Sequence, residues 1–242
     1  MKETEVLLAR VMNFLAEKYK NRLVLKGGML LRLLDSPRAT QDLDYAWIRT
    51  KKRNLFAGEL RSALETLEGI QVVDVASNSR GIFLEITDRA RASRVKLEIN
   101  VIKSFHCPPR PMTTAALSHP HNLRPQVIAT MDLSEALSHK IAAALERDLT
   151  RDLYDLMILG RLTSPDEGTL RERLSQLEVR RAKPRSVTPK EAAVMLGKKI
   201  DSLTPKSLQS ELASVLEGEP LEGMDRLLKS AVSRIIEKLE RL

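Results

Sequence analysis

The spacing of apolar residues changes period along the chain. Leu7, Val11 and Phe14 recur at helical spacing, with Leu8, Met12 and Leu15 widening the stripe, so the chain opens with an amphipathic helix whose apolar face is core. The run Leu23-Val24-Leu25 leads into Lys26-Gly27-Gly28 and then Met29 to Leu34, which predicts a turn followed by a helix. Asp42 to Trp47 reads as a strand, and Leu55 to Leu67 returns to helical spacing. Three further strands are expected at Ile70–Ala76, Ile82–Thr87 and Arg94–Lys103, the last alternating strictly between polar and apolar residues. Pro108, Pro109, Pro111, Pro120 and Pro125 break the pattern from Ser104 to Pro125, predicting a loop that crosses between modules.

Beyond that loop the spacing is helical throughout. Helices are expected at Asp132–Arg147, Thr150–Leu162, Glu167–Leu177, Pro189–Lys199, Lys206–Leu216 and Leu221–Leu242, with Asp132 as an N-cap and Glu135 completing a capping box. The basic run Arg180 to Arg185, broken by Pro184, reads as a solvated linker between two helical groups. This order predicts an α+β protein: a mixed β-sheet with flanking helices over residues 1–125, then an all-helical part over residues 126–242.

Composition narrows the classes. Cys107 is the single cysteine, so a disulfide framework is excluded and a reducing, cytoplasmic setting is expected. Charges interrupt every apolar run of the N-terminal segment, which leaves neither a secretion signal nor a membrane span there. The net charge of +8 favours a polyanionic partner, while aromatics at 3% leave little for stacking, so charge should dominate any contact with RNA. His106-Cys107 and His119-Pro120-His121 share one loop but lack the paired spacing of a zinc site. Tyr45 and Trp47 read as core aromatics.

The candidate chemistry begins with Asp42 and Asp44. Side chains two apart on a strand share a face, so both carboxylates project to one side while Leu43 points into the core. Such a pair suits Mg²⁺ or Mn²⁺, held by one or two carboxylates and the phosphates of a substrate. On the later alternating strand, Lys96, Glu98 and Asn100 share a face. Glu98 is either a third metal ligand or the base for an attacking hydroxyl, and otherwise neutralises Lys96. Gly27-Gly28 ahead of a helix lets backbone approach a phosphate, with N–H groups at the helix start as donors; a plain chain reversal would use the same residues. Asp148, Asp152 and Asp155 fall on one helical face, with Lys140, Arg147 and Arg151 on a neighbouring one, as a binding cluster or a salt-bridge ladder.

Taken together, the Gly-Gly turn and the Asp-x-Asp strand resemble nucleotidyltransferases of the DNA polymerase β superfamily. Leu25-Lys26-Gly27-Gly28 with Arg38, Thr40, Asp42 and Asp44, then Lys140 and Arg151-Asp152-Leu153-Tyr154-Asp155-Leu156, is similar to the AbiEii-type toxins of bacterial toxin–antitoxin systems; the matching segments span roughly residues 23 to 160. The resemblance implies that Gly27 and Gly28 cradle the triphosphate of a bound nucleotide, with Lys26, Arg38 and Thr40 in the same nucleotide-binding segment. It implies that Asp42 and Asp44 hold the metal, that Lys140 reaches the phosphates, and that Asp152, or in its place Asp155, is a further acid. Two departures stand out. Met29 follows the glycines where many members of the superfamily have Ser or Thr, and Glu98 stands where many have Asp.

The expected reaction is transfer of a nucleoside monophosphate from a nucleoside triphosphate to RNA, with the 3′ end of tRNA as the favoured acceptor. Translation would stop, and a cognate antitoxin encoded nearby would be the control. Two alternatives remain open: a small-molecule nucleotidyltransferase of the antibiotic-modifying kind, and a non-catalytic nucleic-acid-binding module.

Overall fold

A computed structural model describes residues 2–79, 81–179, 183–216 and 221–242. The chain divides into two compact units, Met1–Met131 and Asp132–Leu242.

The first unit is built on a seven-stranded mixed sheet. Its strands are β1 (Val24–Lys26), β2 (Asp42–Ile48), β3 (Ile70–Ser77), β4 (Gly81–Asp88), β5 (Ser93–Ile102), β6 (Arg110–Thr113) and β7 (Val127–Thr130), in the order β3-β4-β5-β2-β1-β7-β6. β2 runs parallel to β5 and antiparallel to β1, and β1 is parallel to β7. α1 (Lys2–Tyr19) and α3 (Arg53–Leu64) bury their apolar stripes against one face of this sheet, and α2 (Gly27–Leu33) follows β1 directly. Leu43, Tyr45 and Trp47 of β2 and Val95, Leu97 and Ile99 of β5 all point into that core, as period-two alternation requires. Trp47 stacks on Phe56 with ring centroids 4.3 Å apart, and Tyr19 meets Phe56 edge-on. The core aromatics are therefore structural, and burial holds the Tyr45 phenol far above its usual range.

The segment Ser104 to Pro125 differs from the loop its prolines predict. It contains β6 and the short helix α4 (Ala115–Ser118), and β7 follows Pro125, so the first unit extends to Met131. β6 is the edge of the sheet, and an edge strand tolerates Pro111 because one of its rows of backbone groups needs no partner strand.

The second unit contains α5 (Leu133–Glu146), α6 (Thr150–Leu162), α7 (Glu167–Ser175), α8 (Pro189–Asp201), α9 (Pro205–Leu212) and α10 (Met224–Glu240). Asp132 caps α5 by accepting from the Ser134 N–H at 2.9 Å. Full capping boxes form instead at Thr188/Glu191 and Thr204/Ser207. The expected division into two helical groups does not survive, because α10 packs on both α6 and α8; a Cβ on Gly160 of α6 would stand 2.9 Å from Ile235 Cδ1 of α10. Arg180, Arg181 and Ala182 lie outside the described residues. Arg185 is no free linker residue, since its backbone pairs with Leu177 in both directions. No helix among the described residues is long and apolar enough to cross a membrane.

Candidate active site

Three adjacent strands, β1, β2 and β5, assemble the candidates of the sheet unit. The register pairs Lys26 with Asp44 and Asp44 with Glu98, so these three residues stand side by side on the face of the sheet opposite the α1/α3 core. Asp42 pairs with Lys96 on the same face and is exposed, whereas Asp44 and Glu98 are half-buried. Glu98 Oε1 accepts from Asn100 Nδ2 at 2.8 Å, which orients its carboxylate. Asn100 is thus a positioning residue that spacing alone does not single out, although it shares the face of Glu98.

The glycine pair is explained by its neighbours. Gly27 has φ +71°, a left-handed conformation, and any Cβ there would collide with the Asp44 carboxylate. A Cβ on Gly28 would come within 2.9 Å of Arg38 Nη1 and of Thr40 Oγ1. The backbone turn after β1 therefore lies directly against the acid strand on one side and against Arg38 and Thr40 on the other. Arg38 is 7% exposed, a guanidinium drawn into the fold beside the turn. Thr40 Oγ1 accepts from the Asp42 N–H at 3.3 Å and so sets the entry into β2.

Among the described residues no three His, Cys, Asp or Glu side chains converge to enclose a metal ion. Asp42 and Asp44 instead form a two-carboxylate edge, with Glu98 beside Asp44. That donor set fits a Mg²⁺-like cation, which takes one or two carboxylates and completes its shell with water and phosphate oxygens.

The candidates of the helical unit form a group of their own. Lys140 Nζ of α5 lies 2.5 Å from Asp155 Oδ2 of α6, and Asp155 is fully buried. Arg147 Nη2 donates to Asp152 Oδ1 at 3.0 Å, and Asp152 is 1% exposed with Oδ2 lacking a hydrogen-bond partner among the described residues. Asp148 departs from the expected three-acid face. It precedes the first residue of α6, and its carboxylate binds Lys199 Nζ at 2.9 Å.

A half-covered acid pair on a central strand, a glycine turn pressed against it and a mixed sheet backed by helices make this a nucleotidyltransferase fold. Two solved structures share it. JHP933 from Helicobacter pylori matches 99% of this chain and 93% of its own at 18% identity, with a TM-score of 0.56. MenT4, a nucleotidyltransferase toxin from Mycobacterium tuberculosis H37Rv, matches 98% of this chain and 85% of its own at 15% identity, with a TM-score of 0.66. No curated protein matches by sequence. The family model for the nucleotidyl transferase AbiEii toxin of type IV toxin–antitoxin systems matches residues 10–231, so the chain belongs to that family.

Proposed function

We propose that the protein is a metal-dependent toxin that transfers a nucleoside monophosphate from a nucleoside triphosphate to RNA, with the tRNA 3′ end as the favoured acceptor. The observation that carries this reading is the contact of the Gly27 backbone with Asp44. It brings bare backbone against one of the two carboxylates, the close approach that a phosphate-cradling turn beside a metal site would need.

In this reading Asp42 and Asp44 hold the divalent cation, which when bound screens the phosphate charge and activates the α-phosphorus. Gly27 and Gly28 let backbone approach the triphosphate, and Lys26 and Arg38 supply positive charge beside it. Glu98, oriented by Asn100, takes the proton of the attacking hydroxyl. The hydroxyl oxygen bonds to the α-phosphorus as the bond to pyrophosphate breaks. In the helical unit, Lys140 is assigned as a phosphate contact and Asp152 as the further acid. The basic net charge of +8 supports an RNA acceptor over a small cationic drug. Membership of a type IV family supports a cognate antitoxin as partner.

The test is incubation of the purified chain with total bacterial tRNA, Mg²⁺ and each α-labelled nucleoside triphosphate, beside an Asp44→Ala control. Label on tRNA from the unmutated chain alone is the expected result. Label on no RNA from any nucleotide would overturn the reading.

A further inference from the structure

The strand order splits the polar face of the sheet about β2. On one side lie β1 and the glycine turn. On the other, β5, β4 and β3 line a cavity of about 330 Å³, whose walls include Asp42, Asp74, Phe83, Glu85, Lys96 and Glu98. If the triphosphate lies along the glycine turn, this cavity is on the opposite flank of the acid pair, where the attacking group must enter.

Its chemistry is unlike that of a phosphate site. Four carboxylates face one lysine, and Arg94 binds Glu85 at 2.8 Å. Asp42 and Glu98 belong to the metal edge, but Asp74 and Glu85 lie beyond it and offer acceptors to hydroxyl and amino groups rather than donors to a phosphate. Phe83 adds an aromatic to the same wall. It is half-buried and pairs in register with Glu98, while Ile82, Leu84 and Ile86 of the same strand point into the core. An aromatic beside carboxylates matches a nucleobase: the ring offers a stacking surface, and carboxylates accept from an exocyclic amine.

We propose that this cavity receives the terminal nucleoside of the acceptor RNA, one with a free ribose hydroxyl and a base bearing an exocyclic amino group, stacked on Phe83. The phosphates of the strand stay outside. The ribose hydroxyl meets Glu98 at the mouth of the cavity, and the amino group donates to Glu85 or Asp74. This assignment rests on the transferase reading above and names the acceptor end it uses.

The experiment measures binding, in the absence of triphosphate, of short oligoribonucleotides to the full chain. The probes end in adenosine with a free 3′-hydroxyl, in adenosine with a 3′-phosphate, or in inosine, and the variants are Phe83→Leu and Phe83→Trp. The free adenosine end should bind roughly tenfold more tightly than the 3′-phosphate and several-fold more tightly than inosine. Phe83→Leu, which keeps most of the apolar volume, should lose roughly tenfold for the adenosine end and leave triphosphate affinity unchanged; Phe83→Trp should restore binding. Equal affinity for the 3′-phosphate, indifference to Phe83→Leu, or displacement of the RNA by a polyamino sugar would overturn the proposal. The labelled-transfer assay separates the two readings. Transfer that ignores Phe83→Leu sinks the cavity assignment alone, whereas selective binding without any transfer sinks the transferase reading alone.

Discussion

The acids of the sheet unit and those of the helical unit live under opposite conditions. Asp42, Asp44 and Glu98 stand exposed or half-exposed, side by side, with Gly27 backbone against Asp44. Asp152 and Asp155 are buried, and each carries a cation on one oxygen. Accessible like charges side by side cost stability even with Lys26 and Lys96 in register next to them, and are tolerated where a ligand adds to that neutralisation. A buried carboxylate with its own cation is already neutralised, and removing one partner strands the other. The difference separates acids that a ligand can reach from acids buried in ion pairs, and it can be broken by mutation.

The largest effect falls on Asp44. Asp44→Asn should cut nucleotidyl transfer by at least about a thousandfold while moving stability by less than ~0.5 kcal/mol, because it removes charge from an accessible site and leaves the core alone. Asp155→Ala should do the reverse first, destabilising the chain by ~3–5 kcal/mol in urea unfolding, since it leaves the Lys140 ammonium without its partner. A stable, inactive Asp155→Ala would break the comparison and make Asp155 a reacting group.

These two acids also mark the limit of what spacing reveals. Asp42 and Asp44 are legible because alternation on a strand fixes which face a side chain takes, whatever the strand packs against. The parallel register that brings Glu98 beside Asp44 is a long-range pairing, and only the alternation within β5 hints at it. The partner of Asp155 is a choice among several nearby cations on neighbouring helices, settled by tertiary packing. Asp148, two residues before α6, went to Lys199 for the same reason. β6 was hidden because proline suppresses strand propensity, yet the sheet edge makes that proline harmless. Phe83 left a faint signal: on β4 it is the aromatic in the otherwise small or polar series Gly81, Glu85, Thr87.

Gly27→Ala sharpens the comparison from the backbone side. The substitution forces a Cβ into the left-handed region and into the Asp44 carboxylate, so transfer should fall on the order of a hundredfold with ~1–3 kcal/mol of lost stability. Gly58→Ala is the control: a Cβ there meets nothing within 4 Å, so transfer should be unchanged and α3 should gain ~0.5–1 kcal/mol of stability. An active, stable Gly27→Ala would show that the turn against Asp44 serves chain reversal alone.

Asp88 tests whether the distinction belongs to the units or to the environment of each acid. It lies in the sheet unit yet resembles the helical acids: it is 1% exposed, and its Oδ2 meets Arg10 at 2.6 Å and Arg91 at 2.8 Å. Burial pushes its pKa up, but the Arg91 hydrogen bond, the Arg10 and Arg91 charges and the Ala90 N–H outweigh it, so the carboxyl sits below its ordinary value. A depressed folded-state pKa gives stability that is present above the unfolded pKa and lost as pH falls through the folded one. Asp88→Asn should therefore unfold in urea ~1–3 kcal/mol more easily than the parent at pH 6 to 7, with the gap closing below roughly pH 4. Transfer activity at neutral pH should be retained. A gap that stays constant down to pH 2.5 would mean that shape rather than charge holds Asp88, and the contrast between buried and accessible acids would then lose its electrostatic basis.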